Sequence, residues 1–471
     1  MIKKKTKIVA TISDRNCDVS FLKEMFEAGM NVVRMNTAHQ TVEDSMKIIN
    51  NVRQVSDRIA LMIDTKGPEI RTNETEMALD VKPGDVVYVK GAPDEKSYDR
   101  VICVSYSGIT GDIPPGSTLM IDDGEIELIV RSIEKDKLVC EALNFGIIKG
   151  RKSVNTPNIN IKLPSLTEKD REYIQLAIDE DIDFIGHSFV RNKEDVLAIQ
   201  DILDKHDSRV KIIAKIENQS GVDNIDEILD HVYGVMVARG DLAIEIPYSK
   251  IPGIQKMLID KCIERRKPVI IATQMLHSMI VSPRPTRAEV SDIANAIYSQ
   301  TDAIMLSGET AYGNYPLESL KAMAAIATEV EKTKEPINDI PVVILNNEIS
   351  AFLIKSAVEA AVNLSAKAII ADSMSGRTIR SLAAYRGNKM VWAKCYDRRV
   401  VRELALSYGI KAHYMEPRDT SHEFVQQAVC SLKKEGVVKE KSLVVVAAGN
   451  FGRSTGVSYI EIGTVANILN R

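Results

Sequence analysis

At 471 residues the chain is too long for a single hydrophobic core, and at about 150 residues per domain it divides into roughly three. Its composition, 45% hydrophobic and 27% charged, excludes the fibrous and disordered classes. A formal net charge of -4 with no long run of either sign leaves nucleic acid and anionic membranes without an electrostatic handle, and no stretch reaches the roughly 20 apolar residues of a membrane span.

Residues 7–11 read as a strand and 21–28 as a helix stopped by Gly29. A second strand at 31–36, a helix at 42–55 and a third strand at 59–64 come next, an alternation that implies a parallel sheet. From about 68 to 160 the rhythm breaks into short strands (85–90, 100–104, 125–131, 137–142). These are divided by Pro83-Gly84, Pro114-Pro115-Gly116 and Asp122-Asp123-Gly124, the punctuation of a compact inserted β domain.

Ser165 and Glu168 have the spacing of a capping box opening a helix that runs to 178. The α/β alternation then resumes with strands at 184–188, 210–215, 234–238, 269–272 and 303–306 and helices at 193–205, 251–266, 287–298 and 317–332. Together with the first three strands this makes eight strand and helix units, the count of a (β/α)8 TIM barrel. A polar, proline-bearing linker at 335–341 leads to a helix at 349–364 and strands at 368–371, 390–393, 443–447 and 458–462, an open α/β domain. The expected organisation is a barrel formed by 1–67 and 162–338, a β insertion at 68–161 and a C-terminal α/β domain at 339–471.

In such barrels the chemistry sits at the carboxyl ends of the strands. The residues there are Arg34 and Asn36, Asp64 and Thr65, Lys215 and Glu217, Asp241, Thr273, and 307–310. Alternation along an extended chain puts Lys215 and Glu217 on one face, one strand step apart. Glu217 and Asp241, from neighbouring strand ends, suit a hard ion such as Mg²⁺, which takes one or two carboxylates and leaves its other positions to water and substrate oxygens. Two fixed cations, Arg34 and Lys215, beside such a pair are the equipment of phosphoryl transfer, which needs positioning and charge neutralisation more than covalent help. Neither a Gly-x-x-x-x-Gly-Lys-[Ser/Thr] loop nor the protein-kinase signature set is present. The six cysteines form no CxxC pair, which argues against a zinc site or a disulfide framework and for a reducing cytoplasm.

Arg34-Met35-Asn36, the stretch from Asp64 to Thr72 (DTKGPEIRT), Ala214 to Asn218 (AKIEN), Met236 to Leu242 (MVARGDL), Ala272 to Met275 (ATQM), Pro283 to Glu289 (PRPTRAE) and Met305 to Thr310 (MLSGET) closely resemble the pyruvate kinase family. The resemblance spans the barrel, and the β insertion falls where that family carries its β-barrel lid. It implies transfer of the phosphoryl group of phosphoenolpyruvate to ADP, giving ATP and pyruvate, with Mg²⁺ and K⁺. It also implies that Arg34 binds the substrate phosphate, Glu217 and Asp241 hold Mg²⁺, and Lys215 stabilises the transferring group and the enolate. Thr273 would stand by the carbon that is protonated, and Gly240 would offer backbone to the substrate carboxylate. Arg71, Lys152 and His39 match the nucleotide side. Asn36, Asp64 and Thr65 match the K⁺ ligands, although Ala38 stands where the family carries a serine. Glu69 occupies the position that is lysine in the cation-independent branch, so K⁺ dependence is expected.

In the C-terminal part, Ser373, Ser375, Gly376, Arg377 and Thr378 follow an apolar strand and open a helix, and 448–456 forms a second glycine-rich loop with Arg453. By resemblance these correspond to an effector pocket for a sugar phosphate, and family membership implies a homotetramer. An Mg²⁺-dependent lyase or aldolase handling an enolate on a related barrel is the alternative. It has no use for Arg71 and Lys152 on a lid.

Overall fold

A computed structural model describes residues 4–157, 159, 161–335, 348–449 and 456–470. Eight parallel strands close into a barrel: Lys7–Thr11, Val32–Asn36, Ala60–Asp64, Phe184–His187, Lys211–Ile216, Gly234–Ala238, Val269–Ala272 and Ala303–Leu306. Each strand pairs with its neighbours in sequence, and Lys7↔Ala303 closes the ring. Most strand residues are buried, as a sheet covered by helices on one face and packed on itself on the other requires.

Helix starts are fixed by side-chain caps. Thr41 with Asp44 and Thr286 with Glu289 form reciprocal capping boxes. The helix after the insertion is Glu168–Asp179, and its box is Thr167 with Asp170, not Ser165 with Glu168. The expected phase would start the helix at Leu166, but that side chain is buried in the barrel core and the chain turns helical only after Thr167.

The insertion forms a seven-stranded sheet whose outermost strands are Ile70–Arg71 and Val101–Val104. The Thr72↔Val104 bridge joins these two edges, with Asn73 N–H donating to the Cys103 carbonyl (2.8 Å) and Ser105 N–H to that of Arg71 (2.9 Å). The sheet therefore curls into a small barrel around Val87, Leu119, Leu128 and Leu138.

In the C-terminal part a five-stranded sheet has four parallel strands and an antiparallel edge, Tyr459–Thr464. Its opposite edge, Ile410–Tyr414, escaped the sequence reading because only Ile410 is buried and the polar residues after it resemble a loop. The linker expected at 335–341 and the loop with Arg453 lie, but for a few end residues, outside the described residues. None of the described helices is long and apolar enough to cross a membrane, and all six cysteines are free.

Candidate active site

The barrel's carboxyl-end rim carries a chain of alternating charges. Arg34 donates from Nε to Asp64 Oδ2 (2.5 Å), pairs with the same oxygen through Nη2, and reaches Thr11 Oγ1 from Nη1 (3.0 Å). Lys215 Nζ sits 3.1 Å from Asp64 Oδ1 and 3.1 Å from Glu217 Oε1, and donates to Ser188 Oγ (2.7 Å). Glu217 Oε2 accepts from the Phe189 amide (2.7 Å). These charged side chains are all buried, so their mutual attraction is screened little by water.

Burial alone would raise the Asp64 carboxyl, but Arg34 and Lys215 outweigh it and hold the group below the usual carboxylate range. Burial would likewise depress Lys215, and Asp64 and Glu217 more than offset this, so the ammonium is held more firmly than an ordinary lysine's. Glu217 goes the other way: burial pushes its carboxyl up, Lys215 offsets part of that, and Asp241 adds to it. Asp241 is raised by burial, partly relieved by Lys215, and raised again by Asp123 and Glu69 from the inserted sheet. A buried Glu217 and a half-buried Asp241, both raised in proton affinity and the first of them partly by the second, form a place where a divalent cation would relieve repulsion. Among the described residues there is no cluster of three or more His, Cys, Asp or Glu side chains suited to a metal, so any ion here would take further ligands from water or substrate.

Beyond Val269–Ala272 the backbone turns left-handed at two residues running, Thr273 (φ +68°) and Gln274 (φ +54°). For a β-branched residue that conformation is strained and persists only where the surroundings enforce it. Arg239 is the enforcer. Its guanidinium donates to the carbonyls of Ala272 (3.3 Å) and Thr273 (2.9 Å) and is anchored by a two-pronged pair with Asp292 (2.7 and 2.8 Å). Thr273 Oγ1 donates to the Ala272 carbonyl (2.6 Å) and accepts from the Gly240 amide (2.7 Å). A Cβ at Gly240 would meet the Thr273 side chain at 3.5 Å, ordinary contact, so the glycine's value here is an open backbone.

Of the other rim residues, Asn36 lies opposite Asp64 in register, and its Oδ1 accepts from the Ala38 amide (3.2 Å). Thr65 Oγ1 accepts from the Ser188 amide (3.0 Å), and its carbonyl accepts from Ser188 Oγ (2.6 Å). On the inserted sheet Arg71 and Lys152 are neighbours: Thr72 N–H donates to the Lys152 carbonyl (2.8 Å), and Ser153 pairs with Arg71. Arg71 Nε donates to Glu69 (2.8 Å) and Lys152 Nζ to Asp122 (2.7 Å), both half-buried. His39 is exposed, its amide donating to the Asn36 carbonyl (3.2 Å). The segment 373–378 is not part of this rim. Ser373 ends a C-terminal strand, Gly376 takes φ +74°, and Arg377 and Thr378 begin the Arg377–Ala384 helix, with Ser375 exposed.

Reading the rim from sequence missed Ser188, which bonds Lys215 and Thr65, although it lies just past the end of the fourth strand and the same rule applied there would have found it. Arg239 and Asp292 were also missed as a pair, and a separation of 53 positions leaves no local pattern to find.

The family model "Pyruvate kinase, barrel domain" matches residues 3–320, and "Pyruvate kinase, alpha/beta domain" matches 352–462. The chain is 47% identical to the pyruvate kinase of Borreliella burgdorferi over 474 residues, covering 100% of this chain and 99% of that protein. It is 41% identical to the pyruvate kinase of Geobacillus stearothermophilus over 484 residues, covering 99% of this chain and 81% of the relative. Among solved structures, a Cryptosporidium parvum pyruvate kinase superposes with a TM-score of 0.91 at 33% identity, covering 98% of this chain and 96% of that one.

Proposed function

The chain belongs to the pyruvate kinase family, and from that premise we propose that it transfers the phosphoryl group of phosphoenolpyruvate to ADP, giving pyruvate and ATP in the last step of glycolysis. The observation that carries the reading is Lys215 Nζ set 3.1 Å from both Asp64 and Glu217, with Arg34 on the far side of Asp64, all at one barrel mouth. In this reading Arg34 binds the substrate phosphate through N–H groups left over from Asp64 and Thr11. Lys215 follows the phosphoryl group in flight and stabilises the enolate oxygen left behind, in a site where burial makes a fixed cation worth far more than in water.

Gly240 offers its amide to the substrate carboxylate once Thr273 Oγ1 releases it. Thr273 holds a hydroxyl proton on the side where the enolate carbon is protonated. Arg71, Lys152 and His39 take the nucleotide. The family requires a divalent and a monovalent cation. Glu217 and Asp241 would hold Mg²⁺, and their mutual repulsion is what a divalent ion would relieve. Bound there, Mg²⁺ supplies neutralising charge to the phosphoryl oxygens. Asn36, Asp64 and Thr65 supply oxygens for K⁺ despite Ala38, and Asn36 and Asp64 face each other in register.

The barrel in this reading comprises 1–67 and 162–338, the lid 68–161 and the C-terminal domain 339–471. Residues 373, 375, 376, 377 and 378 bind the phosphate of a sugar-phosphate effector. The protein is a cytoplasmic homotetramer. A coupled assay with phosphoenolpyruvate and ADP, titrated with Mg²⁺ and K⁺, tests the core of the proposal. Pyruvate formed without ADP would instead favour a lyase. Replacing K⁺ by tetramethylammonium should abolish most turnover, and undiminished rates would remove K⁺ from the mechanism. Glu217→Ala should raise the Mg²⁺ concentration needed for half-maximal rate and lower kcat by about 10²-fold, the cost of losing one charge-stabilising group. An unchanged Mg²⁺ titration would show that the ion binds elsewhere.

A further inference from the structure

Two helices end in the same way on either side of the junction between the barrel and the C-terminal sheet. Ile251–Glu264 of the barrel is followed by Arg265 and then Arg266 at φ +56°, and Arg377–Ala384 by Tyr385 and then Arg386 at φ +52°. That left-handed stop is the usual place for glycine, because a Cβ is strained there. An arginine in the same place keeps a guanidinium that glycine would forfeit. Both of these arginines are almost wholly buried, at 8% and 2% exposure.

They line one small cavity of about 10 Å³, at the lower limit for a single water. Its other polar walls are Lys267 and Asp302 from the barrel and Arg380 and Ser407 from the C-terminal part. Four cations therefore meet one carboxylate, and that carboxylate is already committed. Arg386 holds both oxygens of Asp302, and the amides of Val269 and Tyr408 donate to them. None of the ion pairs among the described residues includes Arg266, Lys267 or Arg380. Glu403 also feels Arg380, but Lys211 and Arg399 act on it more strongly.

The hydrogen bonds of these three cations go to neutral oxygens. Arg266 reaches the Glu264 carbonyl and the Tyr385 hydroxyl, and Arg380 the Tyr233 hydroxyl and the Ser375 carbonyl, all at a long 3.4 Å. Lys267 donates to the Val232 carbonyl. Burial, and after it Arg380, hold the Lys267 ammonium below the ordinary lysine range, with Asp230 offsetting part of this. Ser407 is 1% exposed, and its hydroxyl has no hydrogen-bond partner among the described residues. Buried cations without counter-charge and a buried hydroxyl without a partner each carry a desolvation cost. A single small anion relieves both.

We propose that this cavity binds one chloride ion, which ties the amino end of the barrel to the C-terminal part of the chain. A water would take the Ser407 proton but leave the surplus of positive charge, and phosphate, sulfate or a carboxylate exceeds the space. A monatomic anion accepts from any direction, so it suits a hydroxyl, an ammonium and guanidinium edges that arrive from different elements. The cavity touches Pro268 and Asp302, each one residue before a barrel strand, at the end away from Lys215 and Glu217. The ion therefore acts on stability and docking and takes no part in the chemistry.

The test melts the full chain in potassium chloride exchanged stepwise for potassium gluconate, which fixes K⁺ and ionic strength while a large organic anion replaces the small one. Once the site fills, Tm should climb by about 1–2 °C per tenfold increase in chloride, the logarithmic rise that binding to the folded state requires. Ser407→Ala should move the onset of that rise to about tenfold more chloride, the loss of one hydrogen bond to a charged group. Arg380→Met should abolish it. Bromide makes the test without any variant: crystals of the parent grown in bromide should show an anomalous peak in the cavity within hydrogen-bond reach of Ser407 Oγ, and this decides the question if the variants do not fold. A parent Tm indifferent to chloride, a rise with the same onset in both variants, or a cavity that holds only water in bromide overturns the proposal.

Discussion

Lys215→Met is expected to lower kcat by about 10³-fold while moving the KM for phosphoenolpyruvate only a few-fold, the signature of an interaction made mainly in the transition state. The side chain is 11% exposed and its ammonium touches three oxygens, from Ser188, Asp64 and Glu217, so its position is set before substrate arrives. Such preorganisation is what makes a fixed charge effective, since no reorganisation is required during the reaction. Methionine matches the volume but not the charge. The fold should survive because Asp64 keeps Arg34, and Glu217 keeps the Phe189 amide and is already raised in proton affinity. Steady-state kinetics with a thermal melt of the same preparation separates the two effects. A parallel rise in KM with kcat intact would mean that Lys215 binds the ground state, and the role assigned to it would fail.

Much of this rim was legible in the sequence because parallel barrel strands are buried on both faces. Val235-Met236-Val237-Ala238 and Ile270-Ile271-Ala272 are uninterrupted apolar runs, and the first polar residues past each run, Arg239 and Thr273, mark the mouth. Alternation also let Lys215 and Glu217 be placed on one face before any coordinates were known, and their charged atoms lie 3.1 Å apart. What was not legible depends on long-range partners. The left-handed pair Thr273-Gln274 has no glycine to announce it, because Arg239 and Asp292 enforce it from other elements. The half-buried edge strand Ile410–Tyr414 was lost for a different reason, since an edge exposes the polar side chains that sequence reading takes for a loop.

At the opposite end of the barrel, Arg386→Met is expected to cost about 3–5 kcal/mol of stability, the loss seen when one partner of a buried ion pair is removed. Arg386 is 2% and Asp302 4% exposed at the side chain, and the guanidinium grips both carboxylate oxygens (3.0 and 2.6 Å). It also donates to the carbonyls of Gln300 (2.8 Å) and Ala383 (2.9 Å). Asp302 in turn accepts from the amides of Val269 (3.2 Å) and Tyr408 (2.9 Å), so one carboxylate ties the entry of the seventh barrel strand to the C-terminal part of the chain. Without Arg386 that charge would be stranded, and adding Asp302→Asn should return part of the loss by removing the charge while keeping an acceptor for one of the two amides. Because the pair lies at the end of the strands away from Lys215 and Glu217, kcat below the melting transition should stay near that of the parent, in keeping with the division of such barrels into a catalytic and a stabilising end. Denaturant melts of the single and double variants measure the first effect, and turnover at low temperature measures the second. A large fall in kcat in well-folded Arg386→Met would show instead that the interface with the C-terminal sheet sets the geometry of the catalytic rim.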